Sequence, residues 1–122
     1  MIRPLARQGD IRARPSANGH FVAEAGSATG TWTAPDPALT LLAPARAATE
    51  PLVASASCTF RFKGTLDAEP HTVVTGSSSV RLVARPTVVR VGGADVLRDG
   101  DQASDTFGNR LVVASAAPWR SA

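Results

Sequence analysis

Three side chains in this sequence could hold a soft metal ion: His20, Cys58 and His71, which are its only two histidines and its only cysteine. Zinc accepts thiolate and imidazole in tetrahedral sites, and structural sites normally close with four protein ligands. A fourth ligand would have to be a carboxylate such as Asp101 or Asp105, or a water. The same residues have a plainer reading, in which Cys58 is a small apolar group on a buried strand face and the histidines sit in solvent-facing turns. Catalytic chemistry has less to work with. No Gly-x-Ser-x-Gly elbow is present. "GSATG" at 26–30 and "VGG" at 91–93 lack the lysine and the following helix of a phosphate loop. Glu24, Glu50 and Glu69 stand beside Pro or Ala in turn-like surroundings, as solvated carboxylates do. The expectation is a protein that is not an enzyme.

The elements that would position these residues are strands. Leu52, Ala54, Ala56, Cys58, Phe60 and Phe62 are apolar at every second position, while Ser55, Ser57, Thr59, Arg61 and Lys63 fill the alternate face. Period two is the signature of a half-buried strand. "HTVVTG" at 71–76 supplies a further short strand. "TGSSSVRLVARPTVVRVGG" at 75–93 reads as a hairpin turned at Arg85-Pro86, because proline cannot donate to a ladder and restricts the residue before it. "NRLVVASA" at 109–116 makes a last strand after the Gly108-Asn109 turn. Residues 38–49 are the only helix candidate, and Pro44 confines any helix there to a turn or two. The stretch 32–50 reads as a loop insertion. The predicted fold is a barrel-like all-β single domain over 1–122, built of short strands and hairpins with pseudo-repeats.

Composition narrows the classes further. The net charge is +3 and the cations are dispersed, twelve arginines against the single Lys63, so the clustered patch of a nucleic-acid binder is missing. One cysteine excludes an internal disulfide. Aromatic content of 5% leaves a core of Val, Leu and Ala, which bury less area per residue than rings, and stability is expected to lean on a metal or a partner surface. Residues 1–14 carry arginines and Asp10 but no apolar central run, so no secretory signal is expected and synthesis in the cytoplasm is.

A weak internal echo runs through the chain. "PLARQGD" at 4–10 and "DVLRDGD" at 95–101 both pass from an apolar pair through arginine into Gly-Asp, and "RPTVVRVGG" at 85–93 has the same outline with glycine in place of the final aspartate. Repeated strand-turn units suggest stacked or rotationally related hairpins.

These residues carry a resemblance. Pro4-Leu5-Ala6-Arg7 running into Gln8-Gly9-Asp10 resembles the opening of the PAAR-repeat spike-tip proteins, with Leu5 in place of one alanine of the Pro-Ala-Ala-Arg tetrapeptide. "NGH" places His20 at about the family's interval, "VVTGSSSV" after His71 looks like the family's glycine-serine strand opening, and "RPTVVRVGG" resembles its second repeat. The likeness covers residues 1–22 and 69–104. It implies a small conical β domain on the trimeric spike of a phage tail, type VI secretion system or extracellular injection particle, sometimes carrying an effector and touching the target envelope only by piercing. It also implies a structural zinc near the tip, held by His20, Cys58 and His71. Arg81, Arg85 and Arg90 would then lie outside the core, on the side of the cone. A second virion role fits "VLRDGDQASDTFGNRLVV" at 96–113 equally: a head-tail connector or small adaptor that assembles as a ring.

Overall fold

The structure is a computed structural model that describes residues 2–16, 19–22, 29–43, 46–47 and 50–122, with side chains outside the description at 20–22, 46–47 and 50. The all-β expectation holds. Among the described residues twelve strands follow one another: β1 (Arg3–Pro4), β2 (Ile11–Arg14), β3 (Gly19–Val22), β4 (Thr29–Trp32), β5 (Asp36–Leu42), β6 (Arg46–Ala47), β7 (Glu50–Pro51), β8 (Ser55–Leu66), β9 (Val73–Val83), β10 (Gln102–Ser104), β11 (Arg110–Val113) and β12 (Arg120–Ser121). The only helical element among the described residues is a single 3-10 turn at Gln8–Asp10.

β8 is the organising strand. Its period-two pattern turns Ala56, Cys58 and Phe60 inward and leaves Ser57, Arg61 and Lys63 exposed. β9 pairs antiparallel along one edge, from Ser55↔Val83 to Thr65↔Val73. The other edge is shared: β5 takes Ser55 to Arg61, and β4 takes Gly64 to Leu66. β3 extends this sheet beyond β4. A second antiparallel sheet runs β10-β11-β2. The two sheets enclose the main core of Ala6, Ile11, Val53, Ala56, Cys58, Phe60, Val80, Leu82, Leu97, Leu111 and Val113, aliphatic except for Cys58 and Phe60. At their margins β9 lies beside β10 and β2 beside β5 without a ladder. Among the described residues no ladder joins the two sheets into a closed barrel.

Two local expectations change. Residues 75–93 are not a hairpin: β9 runs unbroken from Val73 to Val83, and its partner is β8. After Pro86 the chain leaves the ladder, and only a Val91↔Ala94 bridge follows. Proline marked the end of a strand whose partner lies far back in sequence, which local alternation cannot reveal. Nor is 32–50 a structureless insertion, because Asp36–Leu42 is a paired strand. Pro37 is tolerated within it because β5 carries a ladder on one edge only. Residues 44–45 and 48–49 of that stretch lie outside the described residues.

Candidate interaction site

The strand register settles where the expected ligands stand. Cys58 faces inward on β8, opposite Val80 on one side and Leu39 on the other, and is 1% exposed. Burial pushes its thiol pKa up, against a smaller lowering by the Ala38 backbone, as for a core cysteine rather than a ready thiolate. His71 is exposed in the turn between β8 and β9, past the Thr65↔Val73 pair. Thr65 stands seven residue steps along β8 from Cys58, roughly 23 Å at about 3.3 Å per residue. The hairpin that links Cys58 and His71 also holds them apart. The His20 side chain lies outside the described residues, while its backbone pairs with Thr31. Among the described residues no group of three or more His, Cys, Asp or Glu side chains is placed to hold a metal. Both suggested carboxylates are committed elsewhere. Asp101 bonds Arg3 and the Arg98 amide, and Asp105 takes the network described below.

What the fold does assemble is a set of three repeats. The two Gly-Asp motifs fold alike: Arg7 N–H donates to Asp10 Oδ2 at 2.7 Å and Arg98 N–H to Asp101 Oδ2 at 2.9 Å. Each turn closes with the aspartate N–H on the arginine carbonyl, at 3.0 Å in both. The third unit, however, is not 85–93. It is Pro51-Leu52-Val53-Ala54, where no Gly-Asp follows.

Three backbone hydrogen bonds establish this. Ala6 N–H donates to Leu97 O at 2.7 Å, Leu97 N–H to Val53 O at 2.8 Å, and Val53 N–H to Ala6 O at 3.0 Å. The donors and acceptors close a cycle of three. Each strand gives one bond and takes one, so six polar groups that would be costly to bury are satisfied together. The residues one step earlier, Leu5, Leu52 and Val96, form an apolar layer of their own, each at 1% exposure or less, with Val91 and Trp119 packed against it. Each unit then feeds a strand that leads away, β2, β8 or β10.

Elsewhere three aromatic residues meet: Trp32 on β4, Phe62 on β8 and Phe107 in the β10–β11 loop. Ring centroids lie 5.3 Å apart for Trp32 and Phe62, 5.4 Å for Trp32 and Phe107, and 6.0 Å for Phe62 and Phe107. Two of the rings rest on glycine. Phe62 is opposite Gly76 and Trp32 opposite Gly19, and a Cβ on either glycine would sit 2.4 Å or 2.8 Å from the ring carbons. Asp105 anchors the loop that carries Phe107. Burial alone would raise its carboxyl pKa, but hydrogen bonds from Ser78 Oγ, the Asn109 side chain and the Asn109 and Phe107 amides outweigh burial and hold it low. Asn109, itself 1% exposed, accepts the Ser16 amide, so one network ties β9, the β10–β11 loop and the chain after β2.

Sequence reasoning found Leu5, Ala6 and Leu97 inside their motifs but missed Leu52 and Val53. The available signal was Pro51-Leu52-Val53, which matches Pro4-Leu5-Ala6 in kind.

No family model, curated protein or solved structure matches this chain.

Proposed function

We propose that this chain is a non-enzymatic structural cap, a single polypeptide that closes the end of a three-fold symmetric spike in a phage tail or injection particle. The cycle of Ala6, Leu97 and Val53 carries the reading. A homotrimeric spike ends in three identical surfaces related by rotation. One chain can meet all three alike only if it repeats itself around the same axis, and a backbone cycle of three supplies that repetition. Stiffness comes from the apolar layer at one end and the aromatic triangle at the other. The protein is made in the cytoplasm and joins the particle during assembly.

Co-expression with the trimeric spike of its particle, followed by native mass spectrometry, tests this. The expected product is one copy of this chain on three spike chains, with a raised thermal midpoint, because a partner that binds only the folded state stabilises it by mass action. A closed ring of this chain alone, as a connector would form, overturns the proposal, as does an unchanged midpoint at saturating spike.

A further inference from the structure

The two Gly-Asp turns share their main-chain hydrogen bonds but differ in one side-chain contact. In the first turn Arg7 Nε reaches Asp10 Oδ2 at 3.3 Å. In the second, Asp101 Oδ2 accepts the Arg98 amide, and Asp101 Oδ1 is taken by Arg3 Nη2 at 3.1 Å. The Arg98 side chain has thus lost the carboxylate that its counterpart keeps. Its Nε is shielded from solvent and has no hydrogen-bond partner among the described residues. A donor buried in that state carries the full cost of its lost hydration, so a polar group belongs beside it.

Arg98 lines a cavity of about 270 Å³ together with Arg3, Arg85, Asp101 and the apolar Leu82 and Val83. The three arginines come from separate parts of the chain: β1, the segment after β9 and the second Gly-Asp turn. Three arginines against one aspartate leave the lining with a net charge of +2. Arg3 is held in place by Asp101 and by donating from Nη1 to the Asp99 carbonyl at 2.8 Å. Arg85 is exposed and makes no hydrogen bond or ion pair among the described residues. The neighbouring carboxylates are bonded elsewhere: Asp95 Oδ1 pairs with Arg90 and takes the Thr87 amide, and Asp99 Oδ1 takes the Ser115 amide.

The geometry points to this cavity as a binding site for a compact tetrahedral dianion, a phosphate or sulfate group, held by Arg3, Arg85 and Arg98. Charge, shape and size each favour that ligand. A dianion balances the lining. Guanidinium presents its donors in a planar fork that fits phosphate oxygens, and a tetrahedral group offers oxygens to arginines on several sides, where a planar carboxylate offers two. The cavity of about 270 Å³ equals the liquid volume of about nine water molecules. That is room for one such group with ordered waters, or for the same group carried on a small molecule. A bound anion ties β1, the end of β9 and the second Gly-Asp turn together. The site stands on that turn and does not depend on the proposed cap.

Isothermal titration of the full chain with inorganic phosphate and with sulfate tests the site, with thermal midpoints in parallel and sodium chloride at matched ionic strength as the blank. Both anions should bind with a dissociation constant on the order of 1 mM and raise the midpoint by mass action, while acetate should give a clearly smaller shift. Arg85→Gln and Arg98→Met should each weaken phosphate binding by about 10-fold. Lys63→Gln, eight residues along β8 from the Ser55↔Val83 pair, should leave it unchanged. In anion-free buffer Arg98→Met should keep or raise the midpoint, because it removes an unsatisfied donor. If Arg98→Met does not fold, Arg85→Gln decides, since that exposed side chain bonds nothing among the described residues. Variants that bind phosphate like wild type, or a midpoint shift no larger than chloride gives, overturn the site. A response to acetate equal to that for phosphate overturns the tetrahedral dianion. Glycerol phosphate separates the sources: binding as tight as that of inorganic phosphate assigns the cavity to a phosphoryl group on a larger molecule, and weaker binding assigns it to the free ion.

Discussion

The backbone cycle at Ala6, Val53 and Leu97 and the aromatic triangle at Trp32, Phe62 and Phe107 are both three-membered, but different forces hold them. The cycle is made of main-chain groups, so it accepts alanine, valine or leucine at its three corners. The triangle depends on side-chain identity and on two glycines that leave room for rings. It is also the less buried of the two, with Phe107 at 41% exposure against 0% for Leu52 beside the cycle. Pseudo-symmetry is therefore cheapest where the backbone makes it, and it can persist after the sequence repeat has faded.

The largest expected effect follows from that contrast. Leu52→Ala should cost about 3 kcal/mol in urea unfolding, because it opens a cavity in a fully buried apolar layer. Phe107→Ala should cost about 1 kcal/mol, since a ring that is already partly in solvent gives up less. A larger loss from Phe107 would reverse the ranking and make the triangle the principal brace.

A smaller effect distinguishes the two Gly-Asp turns, which share their hydrogen bonds but not their backbone. Gly100 has φ +86°, a conformation that strains other residues, whereas Gly9 sits in a 3-10 turn with open space where a Cβ would go. Gly100→Ala should destabilise by about 1 kcal/mol, while Gly9→Ala should be neutral or slightly stabilising. Equal costs at both sites would mean that the turns are conformationally equivalent after all.

The smallest effect at neutral pH concerns Asp105 and emerges only in acid. Its folded pKa is lowered, so its contribution is complete above the unfolded carboxyl value of about 3.9 and is lost as pH falls through the folded value. The stability gap between wild type and Asp105→Asn should shrink below about pH 4. A gap that stays constant down to pH 2.5 would show that the network does not depend on the charge.

The sequence by itself determined the strand class and the inward face of β8. Alternation from Ala54 to Phe62 is a local property, and it fixes which side chains are buried whatever the partner strand. It also determined the two Gly-Asp turns, because their hydrogen bonds close within four residues. The 75–93 hairpin failed for the opposite reason: proline and glycine announce that a strand ends, not which strand it pairs with. Local pattern likewise does not show that Cys58 and His71, thirteen residues apart in sequence, stand at far ends of a hairpin arm. Only the tertiary structure decided that Pro51-Leu52-Val53 is the third repeat, bonded in one cycle with Ala6 and Leu97. The bonds that define those relations run between main-chain atoms of residues more than forty positions apart, and main-chain atoms are the same in every residue, so they leave no trace in side-chain identity.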